Sequence, residues 1–413
     1  MKILHLIAGD LSGGAARGAY WLHRAQREIG VESSVITDSR SVLNDRFVHS
    51  VGHDSFKHFS ARVLNKIANT PTLLYPKRKR IIFNTGFSGI DISKTTQYKQ
   101  CDLVHLHWIN GLISIKGIGD IKKPIVWTLR DMWPLTGGCH YAMECENYTA
   151  GCGQCPQLGS NSVKDLSRYV MLQKQLHFPR NMTLVGISEW LSNCARTSAA
   201  FTSQRITTIS NNLDVDAFRA KPKPIARQEL GLELDKRYIL LGAQNIKDFY
   251  KGFDLLMGCL MHLKGSDYYL LTFGNADEAV IGAAGLPFRN FGFLHDNKSL
   301  STLYSAADVF IAPSRMEAFG KTLVESMACR TPVVCFDATG PKDIVDHKVN
   351  GYKATAFEPI ELAKGVEWIM NQDEAAYEAI CFSAETRART VFDSQVIAQQ
   401  YKSLYEEILN QPT

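Results

Sequence analysis

Apolar residues in this chain fall in short runs, separated by stretches whose apolar positions recur every three or four residues. The opening KILHLIAG predicts a strand, and AARGAYWLHRAQREIG has helical spacing up to a stop at Gly30. ESSVITD is the next strand, and DLVHLHW, PIVWTLR and TLVGIS follow, each short and rich in β-branched residues. Strands alternating with helices predict a parallel sheet covered on both faces, because parallel neighbours need crossover connections that lie over the sheet. The pattern then starts again. RYILLGAQ, helix GFDLLMGCLMHL, strand YYLLTFG, helix KSLSTLYSAA, strand DVFIAPS, helix KTLVESMAC and strand TPVVCF form a second series. Between the series lies FRAKPKPIARQELGLELDK, from Phe218, whose two prolines and many charges make it the best linker candidate. DSQVIAQQYKSLYEEILN reads as a terminal amphipathic helix.

The expected architecture is therefore α/β: two doubly wound, Rossmann-like domains facing a central cleft. The first spans 1–215 and the second 216–390, with 391–413 a terminal helix packing back on the first domain. Ligands of such sheets bind outside the carboxyl ends of the strands. A length of 413 residues agrees, being too great for one ordinary core. A chain 45% hydrophobic and 21% charged has an ordinary soluble composition. No apolar run approaches the roughly 18 residues of a membrane span. MKILHLIAGD is closed by Asp10 without a cleavage-site pattern, so it reads as a strand rather than a signal peptide, and the cytoplasm is expected.

Charge is uneven. Residues 1–180 hold 23 Lys and Arg against 13 Asp and Glu, a net of +10, and the remainder a net of −5. A basic first half suits an anionic surface or phosphate-bearing substrates. The densest cluster runs from Lys77 to Arg80, which otherwise is a solvated loop. No zinc-finger or RNA-recognition spacing accompanies it, so nucleic acid is not an expected partner.

The chemistry concentrates in SRMEAFGKTLVES, residues 314–326. Glu317 stands in the loop feeding a helix that Phe319 and Gly320 open, and Glu325 lies on that helix more than a turn later. The N–H groups and dipole of a helix start can hold phosphate. Carboxylates can each accept two hydrogen bonds from a vicinal diol, as acidic residues do for ribose. The spacing suits one ligand with a sugar at one end, phosphates in the middle and a ribose at the other. The plain alternative is two surface glutamates around an ordinary loop.

This stretch resembles the E-x7-E motif of retaining GT-B glycosyltransferases of family 4, the glycosyl transferases group 1. The likeness covers nearly the whole chain: LSGGAARG, ISNNLDVDAF, YKGFDLL and GPKDIVDHKVNGY take part. VHLHWIN, WTLRDMWPLTGGCHY and CGQCPQL are shared with bacterial transferases building O-antigen, capsule or exopolysaccharide. The resemblance implies that Glu325 binds the ribose of a nucleoside diphosphate sugar and Glu317 the hydroxyls of the transferred sugar. The amides of Ala318, Phe319 and Gly320 support the sugar and diphosphate, and Lys251 neutralises the departing diphosphate. The family has a second basic residue about six positions before Lys251, where this chain has Asn245; Lys247 is the nearest substitute. Relatives carry a sugar-contacting His where this chain has Arg130, beside Asp131. Arginine stays protonated and cannot be a general base, but it can hold phosphate or a hydroxyl.

Gly13 and Gly14 close the first strand-to-helix loop and allow backbone approach to phosphate or sugar; a simple tight turn is the alternative. A dehydrogenase would want G-x-G-x-x-G and an acid after the second strand. Asp38 takes the acid's place, but GGAARG has the wrong glycine spacing. His105 and His107 alternate along one strand, facing one side, either toward the cleft or as satisfied strand-end histidines. Asp214 and Asp216 form a D-x-D that reads as a structural turn, and no catalytic metal is expected. Cys139, Cys145, Cys152 and Cys155 crowd into one Gly-rich loop with His140 alongside, compatible with a structural zinc or with reduced packing thiols.

The expected function is transfer of a sugar from a nucleoside diphosphate sugar to a bacterial surface glycan, lipid-linked or oligosaccharide, by a retaining, metal-independent enzyme. Expected partners are that donor, that acceptor and the anionic inner face of the inner membrane, with the protein peripheral there. A non-catalytic nucleotide-sugar-binding or scaffold subunit, and an epimerase of the same fold, are the alternatives. The motif leaves open which sugar and which base.

Overall fold

The computed structural model describes every residue except 40–43, 52–62, 80, 246–247, 276–277 and 412–413. The chain divides into two compact units, Met1–Ser210 with Ile397–Thr413, and Asn211–Val396.

The first unit is built on seven strands: β1 (Lys2–Leu6), β2 (Glu32–Thr37), β3 (Val48–Ser50), β4 (Leu103–Leu106), β5 (Ile125–Leu129), β6 (Thr183–Gly186) and β7 (Arg205–Thr208). They pair in the order β3-β2-β1-β4-β5-β6-β7, every pair parallel. β4 and β5 are buried at every position, as expected of central strands covered on both faces. The register sets His5 of β1 opposite His105 of β4.

The second unit holds β8 (Arg237–Asn245), β9 (Tyr268–Asn275), β10 (Phe288–Asn290), β11 (Val309–Ala312), β12 (Val333–Phe336) and β13 (Gly351–Ala354), all parallel, in the order β10-β9-β8-β11-β12-β13. Each sheet changes winding direction once, between β1 and β4 and between β8 and β11. At such a point the loops after the two strands diverge and leave room for a ligand.

The stretch from Phe218 to Lys236 is not a linker. It belongs to the second unit and forms the helix Lys223–Glu229. Its charges are used within the fold: the Arg227 guanidinium and the Lys223 ammonium both bond Asp308, at 2.8 and 2.7 Å. The boundary falls at Ser210/Asn211 rather than 215/216, because Leu213 N–H donates to the Phe392 carbonyl and its carbonyl accepts from Ser394 N–H (2.8 and 2.9 Å). The last helix, Ser394–Asn410, places Ile397, Ala398, Tyr401, Leu404 and Tyr405 in one buried cluster with Ile3, Leu22, Leu103 and Val126 of the first unit. Their three- and four-residue spacing is a single apolar helix face.

Candidate functional site

In the second unit the chain leaves β8 through a turn at Phe249–Lys251 and a left-handed Gly252 (φ 66°). A Cβ there would lie 2.0 Å from the Pro313 carbonyl oxygen, so only glycine lets this loop touch the one after β11. The contact is then pinned: the Tyr250 carbonyl accepts from Arg315 N–H at 2.8 Å, and the Arg315 guanidinium bonds both oxygens of Asp254. Across this junction the Lys251 ammonium bonds the Glu317 carboxylate, their side chains 34% and 22% exposed. Both stand at the winding change of the second sheet. Lys251, Ser314 and Thr322 border a cavity of about 30 Å³ there.

Ala318 and Phe319 turn inward, with the Phe319 ring edge-on to Phe392 at 5.5 Å. Gly320 (φ 112°) opens the helix Lys321–Ala328 from a conformation that side chains disfavour. The Glu317 carbonyl accepts from Gly340 N–H at 2.9 Å, fixing the loop from behind. Glu325, on the helix, is 8% exposed and accepts from the Tyr304 hydroxyl at 3.2 Å. Burial and then the Glu325 charge hold the Tyr304 phenol well above its usual pKa, so it remains a donor.

In the first unit, Gly13 and Gly14 begin the helix Gly14–Glu28, and a Cβ on either would meet none of the described residues within 4 Å. Asp38 is occupied locally, accepting from Gly9 N–H at 2.7 Å. Arg130, at the end of β5, is 7% exposed, and burial lowers its pKa to about 10, leaving it charged at neutral pH. A guanidinium can only donate, and that fixes the direction of a buried chain of hydrogen bonds. Arg130 Nη2 donates to His107 Nδ1 (3.4 Å), His107 Nε2 to His5 Nδ1 (2.9 Å) and His5 Nε2 to Gln26 Oε1 (2.9 Å). Gln26 Nε2 donates to the Tyr405 hydroxyl (2.9 Å), and that hydroxyl donates to His105 Nδ1 (2.6 Å). His105 Nε2 then donates to Thr128 Oγ1 (2.7 Å), which donates to the Tyr401 hydroxyl (2.7 Å). Burial, aided by neighbouring basic groups, lowers the His5 pKa to about 3 and puts His105 and His107 well below their usual range. His105 of β4 and His107 just beyond it are thus interior, hydrogen-bonded groups.

Asp131 accepts from Trp133 N–H (2.8 Å), Trp108 Nε1 (2.9 Å) and His140 Nδ1 (2.7 Å). His140 Nε2 is buried with no partner among the described residues. Cys139, Cys145, Cys152 and Cys155 line a single cavity. Asp214 caps its own turn through Ala217 N–H at 3.3 Å, and Asp216 pairs with Arg219 at 2.7 Å. Lys247 and Arg80 lie outside the described residues.

The structure thus joins Lys251 to Glu317 and sets Glu325 on the adjoining helix, all within the second unit. Arg130, Gly13 and Gly14 lie in the first. Sequence reasoning missed Tyr304, the Asp254–Arg315 clamp and the tyrosines of the last helix. The helical period showed that Tyr401 and Tyr405 share a face, but nothing local indicated what they meet.

Residues 223–381 match the family described as Glycosyl transferases group 1. Over 425 aligned residues the chain is 23% identical to WcaC of Escherichia coli (strain K12), whose name places it among colanic acid biosynthesis glycosyl transferases; 99% of this chain and 100% of that one are covered. Among solved structures, a glycosyltransferase from Rickettsia africae ESF-5 superposes with a TM-score of 0.67 at 17% identity, covering 100% of this chain and 99% of that one. Anabaena HepE, crystallised with UDP and glucose, gives 0.66 at 18% identity, covering 98% and 100%. At these identities the likeness speaks for the fold, which is GT-B.

Proposed function

We propose that the chain, whose residues 223–381 match the group 1 glycosyltransferases, is a retaining, metal-independent transferase moving a sugar from a nucleoside diphosphate sugar to a lipid-linked glycan. One observation carries this reading: the Lys251–Glu317 pair at the winding change of the second sheet, with Glu325 one helix turn and more beyond. A diphosphate at Lys251 would take over its ammonium and release Glu317 to accept from sugar hydroxyls. Gly320 opens the adjoining helix, whose first turn suits the phosphates. Glu325, held by Tyr304, would face the ribose.

The same groups suit a retaining step. With the diphosphate on Lys251, Glu317 accepts from sugar hydroxyls, and Glu325 stays with the Tyr304 phenol and the ribose. In the proposed step the bond from the sugar's anomeric carbon to the phosphate oxygen breaks, and a bond to the acceptor oxygen forms on the same face. The acceptor's proton passes to the departing phosphate oxygen, so no side-chain base is required. Lys251 stabilises the charge growing on the diphosphate, which is greatest in the transition state. Arg130 serves as a second fixed cation. Gly13 and Gly14 fit close approach to phosphate or sugar, since nothing among the described residues requires glycine at either position.

The acceptor reading rests on the first unit. Lys77, Arg78 and Lys79 are exposed, and so are Leu73, Leu74 and Ile82 beside them. Cations next to exposed apolar side chains suit the surface of an anionic bilayer. No helix among the described residues is long and apolar enough to cross a membrane, so contact would be peripheral.

Calorimetry tests the division of roles. Glu325→Ala should weaken binding of plain nucleoside diphosphate about tenfold, some 1.4 kcal/mol. Glu317→Ala should leave that affinity within about threefold while lowering transfer much further. Equal losses of nucleotide affinity in the two variants would refute the assignment.

A further inference from the structure

Cys139, Cys145, Cys152 and Cys155 come from separate turns of the segment between β5 and the helix Leu166–His177, and all four line one cavity of about 20 Å³. That is room for a single small ion or water. The segment, 130–165, is 36 residues long with little regular structure, a length at which a loop usually carries either a function or an internal staple.

Two buried polar groups sit by the cavity, and one of them has an atom without a partner. Gln157, 5% exposed, lines it; its Nε2 donates to the Tyr141 carbonyl (2.5 Å), yet its Oε1 has no partner among the described residues. Lys174 is fully buried, and its hydrogen bonds run to the carbonyls of Trp133 and Thr136, the latter at 2.8 Å. Its ammonium also lies 3.9 Å from the centre of the Trp133 ring. Gly137 N–H donates to Cys152 Sγ at 3.1 Å, the kind of bond that orients a metal-bound thiolate.

The histidines provide the contrast. Ligating atoms of His5, His105 and His107 lie within 4.8 Å of one another, closer than any three of the cysteine sulfurs. Yet both ring nitrogens of each are engaged in the hydrogen-bond chain from Arg130, so that trio is satisfied without a metal. The sulfurs are spread more widely. Each cysteine has three staggered rotamers, and rotation about χ1 is what would bring the four sulfurs together.

We propose that Cys139, Cys145, Cys152 and Cys155 bind one zinc ion as four thiolates. Binding releases four thiol protons and leaves a dianionic cluster. The ion staples the segment in place. That segment in turn holds Lys79 and Asn84, through Lys79 N–H to the Gln157 carbonyl and Asn84 N–H to the Gly138 carbonyl (both 2.8 Å). It also holds the end of β5, where the His140 carbonyl accepts from Met132 N–H at 2.9 Å.

Metal analysis of the full chain, purified without chelator, should find about one zinc per molecule. Cys152→Ser combined with Cys155→Ser should abolish it, and Cys101→Ser, away from the cavity, should keep it. Cobalt(II) in place of zinc should give the intense near-ultraviolet sulfur-to-metal band of four thiolates in a tetrahedral field. That spectrum is read on the unmutated chain, so it decides even where the double variant fails to fold. The proposal falls if the chain holds no zinc and takes up none when it is added. It falls equally if cobalt reports fewer than four thiolates, or if the cysteines prove to be joined as disulfides.

Discussion

Arg130 shows how far a single residue's chemistry depends on its surroundings. On the surface it would be one more phosphate-binding cation; here its guanidinium is buried and fixes the tautomers of three histidines beneath it. Loss of the side chain removes a fixed charge and leaves buried acceptors unpaired, so both catalysis and folding should suffer. Arg130→Ala is expected to lower turnover of the folded fraction at least about tenfold, near 1.4 kcal/mol of barrier. It should also cost about 1–3 kcal/mol of stability. Arg130→His, which keeps a ring donor for His107, should recover part of both. Steady-state kinetics beside thermal melts separates the two effects. An Arg130→Ala protein that melts lower but turns over normally per folded molecule would make the residue purely structural.

Among the elements, the last helix and strands β1, β4 and β5 are joined by the chain of donors that ends at Tyr401. Tyr405→Phe would leave Gln26 Nε2 and His105 Nδ1 without a partner inside the core, at a cost of about 1–3 kcal/mol. Chemical denaturation should show that loss, and an unchanged midpoint would mean the interior rearranges freely. Buried histidines also predict acid sensitivity. His5 and His23, on β1 and on the helix Gly14–Glu28, have pKa values pushed down by burial to about 3 and about 4, against 6.5 in the unfolded chain. His23 is also pulled upward by Asp45, but burial dominates. Below pH 6.5 the unfolded chain therefore binds protons that the folded chain refuses. Stability contributed by these neutral rings is complete above that pH and drains away as pH falls toward 4 and then 3. Each ring contributes up to tenfold in the folding constant per pH unit. Melts from pH 7.5 to 4.5 should show a falling midpoint, and a flat profile would mean the rings are hydrated and protonated.

For the molecule as a whole, charge is distributed as a surface property rather than a fold property. The excess of 23 basic over 13 acidic residues in 1–180 includes the exposed Lys77, Arg78 and Lys79, which the cysteine segment holds from behind. Lys77→Glu with Arg78→Glu should weaken binding to vesicles rich in anionic lipid by about tenfold or more, since each cation near such a surface is worth about 1 kcal/mol. Wild-type binding should fall as salt rises. Leu73→Ser with Leu74→Ser should weaken it without changing the salt dependence. Sedimentation with vesicles checks all three, and retention of the charge-reversed protein would leave the cluster a solvated loop.

The order of strands and helices, the restart of the pattern near residue 237 and the segment from Glu317 to Glu325 were legible in the sequence. They depend on periodicity and on local backbone chemistry, which neighbouring residues carry with them. Gly320 needs no distant partner to open a helix, and alternating runs need none to predict parallel sheets. What required the tertiary structure were the meetings. Lys251 finds Glu317 only because β8 and β11 are neighbours in space and Gly252 lets their loops touch. Glu325 is held by Tyr304, a residue 21 positions earlier on another helix. The charged stretch after Phe218 read as a linker because its partner, Asp308, lies some 80 residues further on. Local sequence sets which conformations a segment prefers, whereas a side chain's partner is set by which strands and helices pack together. For Arg130, Lys251 and the four cysteines that packing decides what each residue can do.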